Sequence, residues 1–277
     1  MLRSGDAVIA AELRPPRAEL AAREGMDAWI DTYHAVRRLT RHGTFVFLTD
    51  NAVGAQEEDN LRHLVTNIGR DVPRERIVPF LTTKHSMEYC LSYAERAHQH
   101  GFRSLVVLGG DKSVGPARVV GHAWELRERL RERNQTLELG GWANPHANAE
   151  RQIDFLGDPH FCAEFYLTQI VSHHDLPAVE RFLRAAETRG LSLPGVFGVF
   201  YYRSANRKTL DLLKGFLPVP VDGLVKDFST GASPEEICAR SIRELASLGV
   251  RHFYISNLPI GRAHRVLDEI LQKAAAR

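Results

Sequence analysis

The chain has 277 residues, enough for one large α/β domain or two small ones. Hydrophobic residues make up 44% of it and charged residues 25%, as in ordinary globular domains. The formal net charge is +2, with both signs mixed along the chain, so a nucleic-acid partner is not expected. No apolar run approaches the roughly 20 residues needed to cross a bilayer, so a membrane partner is not expected either.

Short apolar runs typical of β-strands alternate with longer amphipathic stretches typical of helices along the whole chain. The stretch "MDAWIDTYHAVRRLTRHG", for example, places Trp29 and Val36 on one helical face and stops at Gly43. The predicted strands are Ala7–Ala11, Thr44–Leu48, Ile77–Leu81, Ser104–Leu108, Leu137–Gly141, Glu164–Ile170, Gly195–Phe200 and His252–Ser256.

Eight strand–helix units of this kind predict an α/β fold, a (β/α)₈ TIM barrel that residues 1–277 form as a single domain. The alternative, an open doubly wound sheet, favours a glycine-rich fingerprint after the first strand. The sequence has Glu-Leu-Arg-Pro-Pro there instead. We therefore expect a barrel, in which the catalytic residues collect where the strands end.

Polar residues follow nearly every predicted strand, which places them on one rim of the expected barrel. Such residues are also common helix caps, so no single position indicates a functional site. Their accumulation on one rim does indicate one. In chain order they are Glu12, Thr49–Asn51, Thr82–Lys84, Gly109–Asp111, Asn144–His146, Thr168–Gln169, Tyr201–Tyr202 and Asn257.

Five of these residues suggest specific chemistry. Glu12 and Asp111 are carboxylates on one rim, and two acids in different surroundings can divide the roles of proton donor and fixed negative charge. Gln169 ends a long apolar run, and its side-chain amide can donate and accept hydrogen bonds with the amide-like edge of a heterocycle. Gly109 and Gly110 allow a flat ligand to approach the backbone closely.

Other polar clusters are expected to be structural, and no metal site is predicted. His173-His174-Asp175 lies just past the sixth strand without a spaced acid partner, so a solvated turn is expected there. Lys226-Asp227 is within reach of a substrate tail, but a surface salt bridge is the expected role. The cysteines, at 90, 162 and 238, form no paired motif and are expected to be small buried hydrophobes in a reducing cytoplasm. The N-terminal segment does not have the pattern of a signal peptide, which again predicts a cytoplasmic protein.

The strand-end motifs together resemble those of the methylenetetrahydrofolate reductase family. The matching segments, in family order, are "AELRPPR", "FVFLTDNA", "VLGGDKSVG", "ANPHANAE", "FYLTQIV" and "HFYISN". The resemblance implies that Glu12 is the catalytic acid, that Asp111 acts between flavin and pterin, and that Gln169 holds the folate. It also implies substrate contacts from Thr49 and Asn257, and cofactor contacts from Thr49, Thr82, Gly110, Asp111, His146, Asn148 and Ala149.

The resemblance implies that the chain reduces 5,10-methylenetetrahydrofolate to 5-methyltetrahydrofolate in one-carbon metabolism and methionine biosynthesis. The implied cofactor is FAD, reduced by NADH or NADPH, and a homo-oligomer is among the expected assemblies. Glu12, protonated in a low-dielectric pocket, would give its proton to N10 as the iminium forms at N5. The charge of Asp111 would favour that cation.

The positions that hold flavin in the family are matched less well than those of the substrate. The arginine of the family's Arg-Gly-Asp is Gly109, and the third-strand histidine is Phe80. The segment after His146, "RQIDFLGDPHFCAEF", has few cations for a diphosphate. We therefore expect weak FAD binding or none. Three alternatives stay open. The first is a flavin-free reductase that takes hydride directly from NAD(P)H, and the second is a folate- or methyl-carrying partner of a methyltransferase or of another redox subunit. The third is a catalytically inactive binding or scaffold protein.

Overall fold

Eight parallel strands close into a barrel in the part of the chain that the computed structural model describes, residues 7–17, 19–50, 61, 65–66, 68, 72–111 and 115–276. Each strand pairs with its sequence neighbours, and β1 pairs with β8 to close the ring. The predicted (β/α)₈ barrel is confirmed. The strands are β1 Ile9–Leu13, β2 Phe45–Leu48, β3 Ile77–Thr82, β4 Ser104–Leu108, β5 Glu138–Ala143, β6 Phe165–Ile170, β7 Gly195–Phe200 and β8 Phe253–Ser256.

The helices that surround the barrel begin and end at signals the sequence carries. Ser86 and Ser233 accept hydrogen bonds from backbone N–H groups in the first turns of their helices, and Gly43 follows the first helix at φ +85°. None of the described helices is long and apolar enough to span a membrane. They are α1 Ala22–Arg41, α2 Met87–Gln99, α3 Ala123–Arg133, α4 Ala149–Gly157, α5 Leu176–Thr188, α6 Arg207–Lys214, α7 Val221–Ser229, α8 Pro234–Ser247 and α9 Ala263–Ala275.

The strand bounds correct the sequence prediction mainly at β1 and β5. The prediction ended the first strand at Ala11, but the ladder with β2 continues to the Leu13–Leu48 pair. Glu12 therefore lies within β1 and does not follow it. Strand β5 likewise runs on to Ala143, since its pairing with β6 extends that far. The other bounds agree with the prediction to within one residue.

Side chains alternate between the barrel interior and the helical layer, as the two-residue period of a strand requires. The interior cluster is apolar and aromatic, and it includes Ala10, Phe47, Phe80, Leu108 and Tyr254. The residues two positions further along the chain are all polar or glycine, and they begin the carboxyl rim. They are Glu12, Thr49, Thr82, Gly110 and Ser256.

Glycines on the strands make room for the aromatic rings of the interior. A Cβ atom on Gly198 would lie 2.4 Å from the Tyr254 ring, and one on Gly140 would lie 2.6 Å from the Phe165 ring. The Tyr254 hydroxyl donates a hydrogen bond to the Thr168 carbonyl at 2.7 Å. Burial, and secondly the charge of Glu12, hold the pKa of Tyr254 well above its ordinary value, so this phenol stays protonated. These rings form a packed floor beneath the rim.

The free cysteines fit their predicted role in two of three cases. Cys90 and Cys238 are buried, while Cys162 is partly exposed and adopts a left-handed backbone with φ +48°. Burial raises the pKa of the Cys90 thiol to about 12, and the charge of Asp50 adds to that effect. A thiol in that state is a poor nucleophile.

Candidate functional site

Glu12 stands at the carboxyl rim beside Ser256, across the β1–β8 junction. The Ser256 hydroxyl donates a hydrogen bond to Glu12 Oε1 at 2.5 Å. Ser256 is buried, and Glu12 is half-buried. Because the interior below both residues is packed with apolar side chains, the carboxyl group can meet a ligand only from the rim. This placement suits a side chain that exchanges a proton with a bound molecule.

A hydrogen-bonded network links the ends of β2 and β3. The carboxylate of Asp50 accepts bonds from the Thr82 backbone N–H at 2.7 Å and from the Thr82 hydroxyl at 2.9 Å. His85 Nε2 lies 2.8 Å from the same oxygen. Thr82 is a predicted cofactor contact, but its hydroxyl already donates its proton to Asp50. Thr49 is buried beside this network, with its backbone N–H donated to the Leu13 carbonyl.

The turn after β4 is shaped by two glycines and an arginine. Gly110 has φ +74°, and a Cβ atom there would lie 2.8 Å from the Lys84 side chain, so a larger residue is both strained and blocked. A Cβ atom on Gly109 would lie 2.6 Å from Cζ of Arg118. The Arg118 Nη2 donates to the Gly110 carbonyl at 2.5 Å. Asp111 follows directly and is half-buried.

Arg118 therefore occupies the space beside the residue where the resembled family carries an arginine. Its Nε is buried and has no hydrogen-bond partner among the described residues. The segment is held in place by the bond from the Val119 backbone N–H to the Thr83 carbonyl, 2.7 Å long. Sequence reasoning missed Arg118 because it lies in the loop after Gly109–Asp111. No periodic pattern in that loop predicts where the side chain points. A buried N–H group without a partner is suited to an oxygen atom of a ligand.

Gln169 and Asn257 lie at the rim, and the backbone uses part of the capacity of each amide. The register of β6 against β7 shifts between Leu167 and Ile170, and Gln169 sits within this bulge. Its Oε1 accepts a bond from the Ile170 N–H at 2.9 Å. Asn257 has φ +67°, and its Nδ2 donates to the Tyr201 carbonyl at 3.0 Å. Both amides keep further hydrogen-bonding positions.

The segment after β5 forms a groove of about 400 Å³ lined by Ala147, Asn148, Arg151, Gln152 and Phe155. His146 Nε2 bonds to the Ile170 carbonyl at 2.8 Å. Asn148 Oδ1 accepts from the Arg151 N–H and caps α4, which begins at Ala149. The predicted cofactor residues His146 and Asn148 are thus engaged in holding the fold.

This groove does not fit the diphosphate of a flavin dinucleotide. Arg151 is the one cation among its lining residues, and the Asn148 oxygen already serves as a helix cap. A bound diphosphate needs several cations or N–H donors to replace its hydration. The predicted donor Thr82 is also committed elsewhere, to Asp50.

The turn after β6 corrects the expectation of solvated histidines and of a surface salt bridge. The His173 and Asp227 side chains are only 9% and 10% exposed, because α7 and α8 pack over this turn. His173 Nε2 and His174 Nε2 lie 3.0 Å and 2.9 Å from one carboxylate oxygen of Asp227. The acid partner, which lies too far along the chain to be recognised from the sequence, is Asp227 of α7. Arg240, not Lys226, completes the contacts of this carboxylate, at 2.9 Å.

The fold places the chain among the (β/α)₈ barrels, and comparison with solved structures agrees. No family model and no curated protein matches the sequence. An uncharacterized protein from Clostridium thermocellum that binds two copies of 5-methyl-5,6,7,8-tetrahydrofolic acid is similar over 97% of this chain and 94% of its own, with a TM-score of 0.70 and 15% identity. An F420-dependent secondary alcohol dehydrogenase is similar over 97% of this chain and 99% of its own, with a TM-score of 0.60 and 12% identity. At these identities the likeness establishes the shared fold.

Proposed function

We propose that this barrel binds a reduced folate at its carboxyl rim and reduces 5,10-methylenetetrahydrofolate to 5-methyltetrahydrofolate. The observation that carries the proposal is Glu12, a half-buried carboxyl that the Ser256 hydroxyl holds above a packed aromatic floor. The rim also carries Asp111 and the amide of Gln169. The Clostridium thermocellum structure, which binds a methylated folate on a similar barrel, supports the choice of substrate class.

The proposed reaction needs one proton and one hydride. Glu12 gives its proton to N10 of the folate as the bond between N10 and the bridging carbon breaks. The electron pair of N5 forms a double bond to that carbon, which becomes a cationic iminium. Hydride addition to the carbon then yields the N5 methyl group, and solvent reprotonates Glu12. The hydrogen bond from Ser256 fixes the direction of the carboxyl group throughout.

Three further side chains have proposed roles in holding the substrate. Asp111 accepts hydrogen bonds from the guanidine-like edge of the pterin, and its charge stabilises the iminium. Gln169 bonds to the amide-like edge of the same ring. Arg118, with its buried Nε directed to no described partner, binds a carbonyl or carboxylate oxygen of the folate. Thr49 and Asn257 are proposed as weaker substrate contacts at the same rim.

We propose that the hydride comes directly from a reduced nicotinamide. NADH or NADPH is a co-substrate that leaves as the oxidised form, so electrons balance without a resident redox group. This choice follows from the groove after β5, whose lining offers Arg151 as its single cation. In this proposal, five residues to which the resemblance gives cofactor contacts shape the rim instead. They are Thr82, Gly110, His146, Asn148 and Ala149.

Replacing Glu12 tests the proposed proton donor. We expect Glu12→Gln to lower NAD(P)H-driven reduction of methylenetetrahydrofolate by roughly a hundred- to ten-thousand-fold, because the amide cannot protonate N10. Binding of 5-methyltetrahydrofolate, measured by calorimetry, should change only a few-fold.

Glu138 offers a matched control for this experiment. It is a strand carboxylate that also accepts a serine hydrogen bond, from Ser104 at 3.0 Å, but it begins β5 and so lies at the opposite end of the barrel. Glu138→Gln should keep the parent rate. Equal rates in Glu12→Gln and the parent would overturn the assignment. Folate binding without any turnover in the parent would make the chain a folate-binding protein instead of a reductase.

Titration with FAD tests the source of the hydride. We expect no saturable change in flavin fluorescence at micromolar FAD, and no flavin absorbance in the purified protein, because the groove supplies too few charge-assisted donors. Folate reduction should proceed with NAD(P)H alone. Submicromolar FAD binding, or turnover that depends on added FAD, would contradict the direct transfer.

A further inference from the structure

The histidine pair after β6 and Asp227 of α7 bring three metal-ligating atoms together. One ring nitrogen each of His173 and His174 and one carboxylate oxygen of Asp227 lie within 4.8 Å of one another. The side chains of His173 and Asp227 are about one-tenth exposed, and that of His174 is 23% exposed. The cluster is therefore closed on one side and open to solvent beside His174.

Contacts behind the cluster orient its ligands. The Ser241 hydroxyl donates to the Ile237 carbonyl at 3.2 Å and lies 2.9 Å from His173 Nδ1, which fixes the orientation of the His173 ring. Its Nε2 lies 3.0 Å from a carboxylate oxygen of Asp227. The other oxygen of Asp227 is held by Arg240 at 2.9 Å.

A glycine within α7 makes room for the second histidine. A Cβ atom on Gly223 would lie 2.6 Å from the His174 ring, so this position tolerates no larger residue while the ring stays in place. A glycine inside a helix is destabilising relative to alanine. The close approach of the His174 ring to the helix explains why a glycine stands at position 223.

We propose that His173, His174 and Asp227 bind one divalent transition-metal ion, with Zn²⁺ the best match. Two imidazoles and one carboxylate are a common ligand set for zinc sites that keep a position open to water or substrate. Tetrahedral bonds of 2.0–2.1 Å place ligand atoms about 3.4 Å apart. The observed separations of 2.9 and 3.0 Å reach that value through small side-chain movements. Ser241 and Arg240 supply the outer hydrogen bonds that orient such ligands.

The test is metal binding to protein that has been stripped with a chelator and dialysed. We expect one Zn²⁺ per chain, measured by competition with a chromophoric chelator, and a visible absorption band when Co²⁺ is added instead. His173→Ala, His174→Ala and Asp227→Asn should each lower Zn²⁺ affinity at least tenfold. Gly223→Ala should also lower it, because the added methyl group displaces the His174 ring without removing a ligand.

His160→Ala is the control, since His160 forms an exposed pair with Glu128 at 2.7 Å and its loss should leave Zn²⁺ affinity unchanged. Urea unfolding of each variant checks that it folds. If His173→Ala does not fold, Asp227→Asn and Gly223→Ala still decide the question. Absence of saturable Zn²⁺ binding, or equal affinity in the parent and these variants, would overturn the proposal. Folate reduction is measured separately, so the two proposals stand or fall independently.

Discussion

Arg118 places a guanidinium beside Gly109, the position at which the resembled family carries an arginine in its strand-end motif. It packs against the backbone of Gly109 and donates to the Gly110 carbonyl. A side chain at Gly109 is excluded while Arg118 stays there. The guanidinium beside Gly109 therefore comes from the following loop and not from the strand itself.

We predict that Arg118→Ala weakens folate binding or turnover about 10- to 100-fold, because a charge-assisted hydrogen bond contributes roughly 1.5–3 kcal/mol. The double variant Gly109→Arg with Arg118→Ala should recover part of the loss, since the space beside residue 109 is then free for the new arginine. Steady-state kinetics with varied folate would measure both effects.

The exposed Arg129 of α3 provides the control for this prediction, since it pairs only with the neighbouring Glu132 among the described residues. Arg129→Ala should keep the parent kinetics. An Arg118→Ala variant with unchanged folate kinetics would mean that the guanidinium only supports the turn.

At the scale of the elements, aromatic rings on one strand fill the space above glycines on its neighbour. Tyr254 of β8 lies over Gly198 of β7, and Phe165 of β6 lies over Gly140 of β5. Large and small residues thus interlock across adjacent strands, which fills the barrel and supports the rim.

We predict that Gly198→Ala lowers the free energy of unfolding by about 1–3 kcal/mol, because the methyl group overlaps the Tyr254 ring in a packed interior. Urea unfolding followed by circular dichroism would measure the change. Gly157→Ala at the end of α4 is the control, since nothing lies within 4 Å of its added Cβ atom, and it should change stability by less than about 0.5 kcal/mol. Similar stability of the two variants would show that the ring shifts at little cost.

The sequence predicts the elements well because apolar periodicity and capping residues are local properties. It also predicts which residues reach the rim, Glu12, Asp111 and Gln169 among them, because the ends of parallel strands must meet. The partners of rim residues depend on the packing of loops and helices. Arg118 could not be found for that reason, nor could the contact of His173 with Asp227 of α7. The chemical roles proposed for the rim residues stay predictions.

At the scale of the whole molecule, the junction of β1 with β8 joins residues that lie far apart in the sequence. Besides the Glu12–Ser256 bond at the carboxyl rim, the Val8 backbone N–H donates to His252 Nδ1 at 3.1 Å near the opposite end. Burial lowers the pKa of His252, and the nearby charge of Arg251 lowers it further. The histidine must be neutral at Nδ1 to accept this bond.

We predict that His252 contributes to the loss of folding stability as the pH falls below 6.5. Its ordinary pKa is 6.5, and the folded value is lower, so the unfolded chain binds more protons between the two values. Stability from this group is present above pH 6.5 and is lost as the pH falls toward the folded pKa. His252→Asn, whose amide oxygen accepts the bond without titrating, should lose less stability than the parent between pH 7.5 and about 5.

Urea unfolding at several pH values would measure this difference, and the exposed His98 of α2 is the control. His98→Asn should retain the parent's pH dependence. Identical pH slopes in the parent and His252→Asn would show that the bond from Val8 does not depend on the protonation of His252.

The Glu12–Ser256 bond also bears on the order in which the chain gains activity during synthesis. The two residues are 244 positions apart, so the bond forms only after β8 has left the ribosome and paired with β1. A nascent chain that has folded its first seven strands still carries an open edge and an acid without this serine. Closing the loop between such distant residues also carries an entropic cost, which makes the pairing a late folding step. The proposed proton donor is therefore positioned only once β1 and β8 have paired, and chains synthesised only as far as β7 should be catalytically silent.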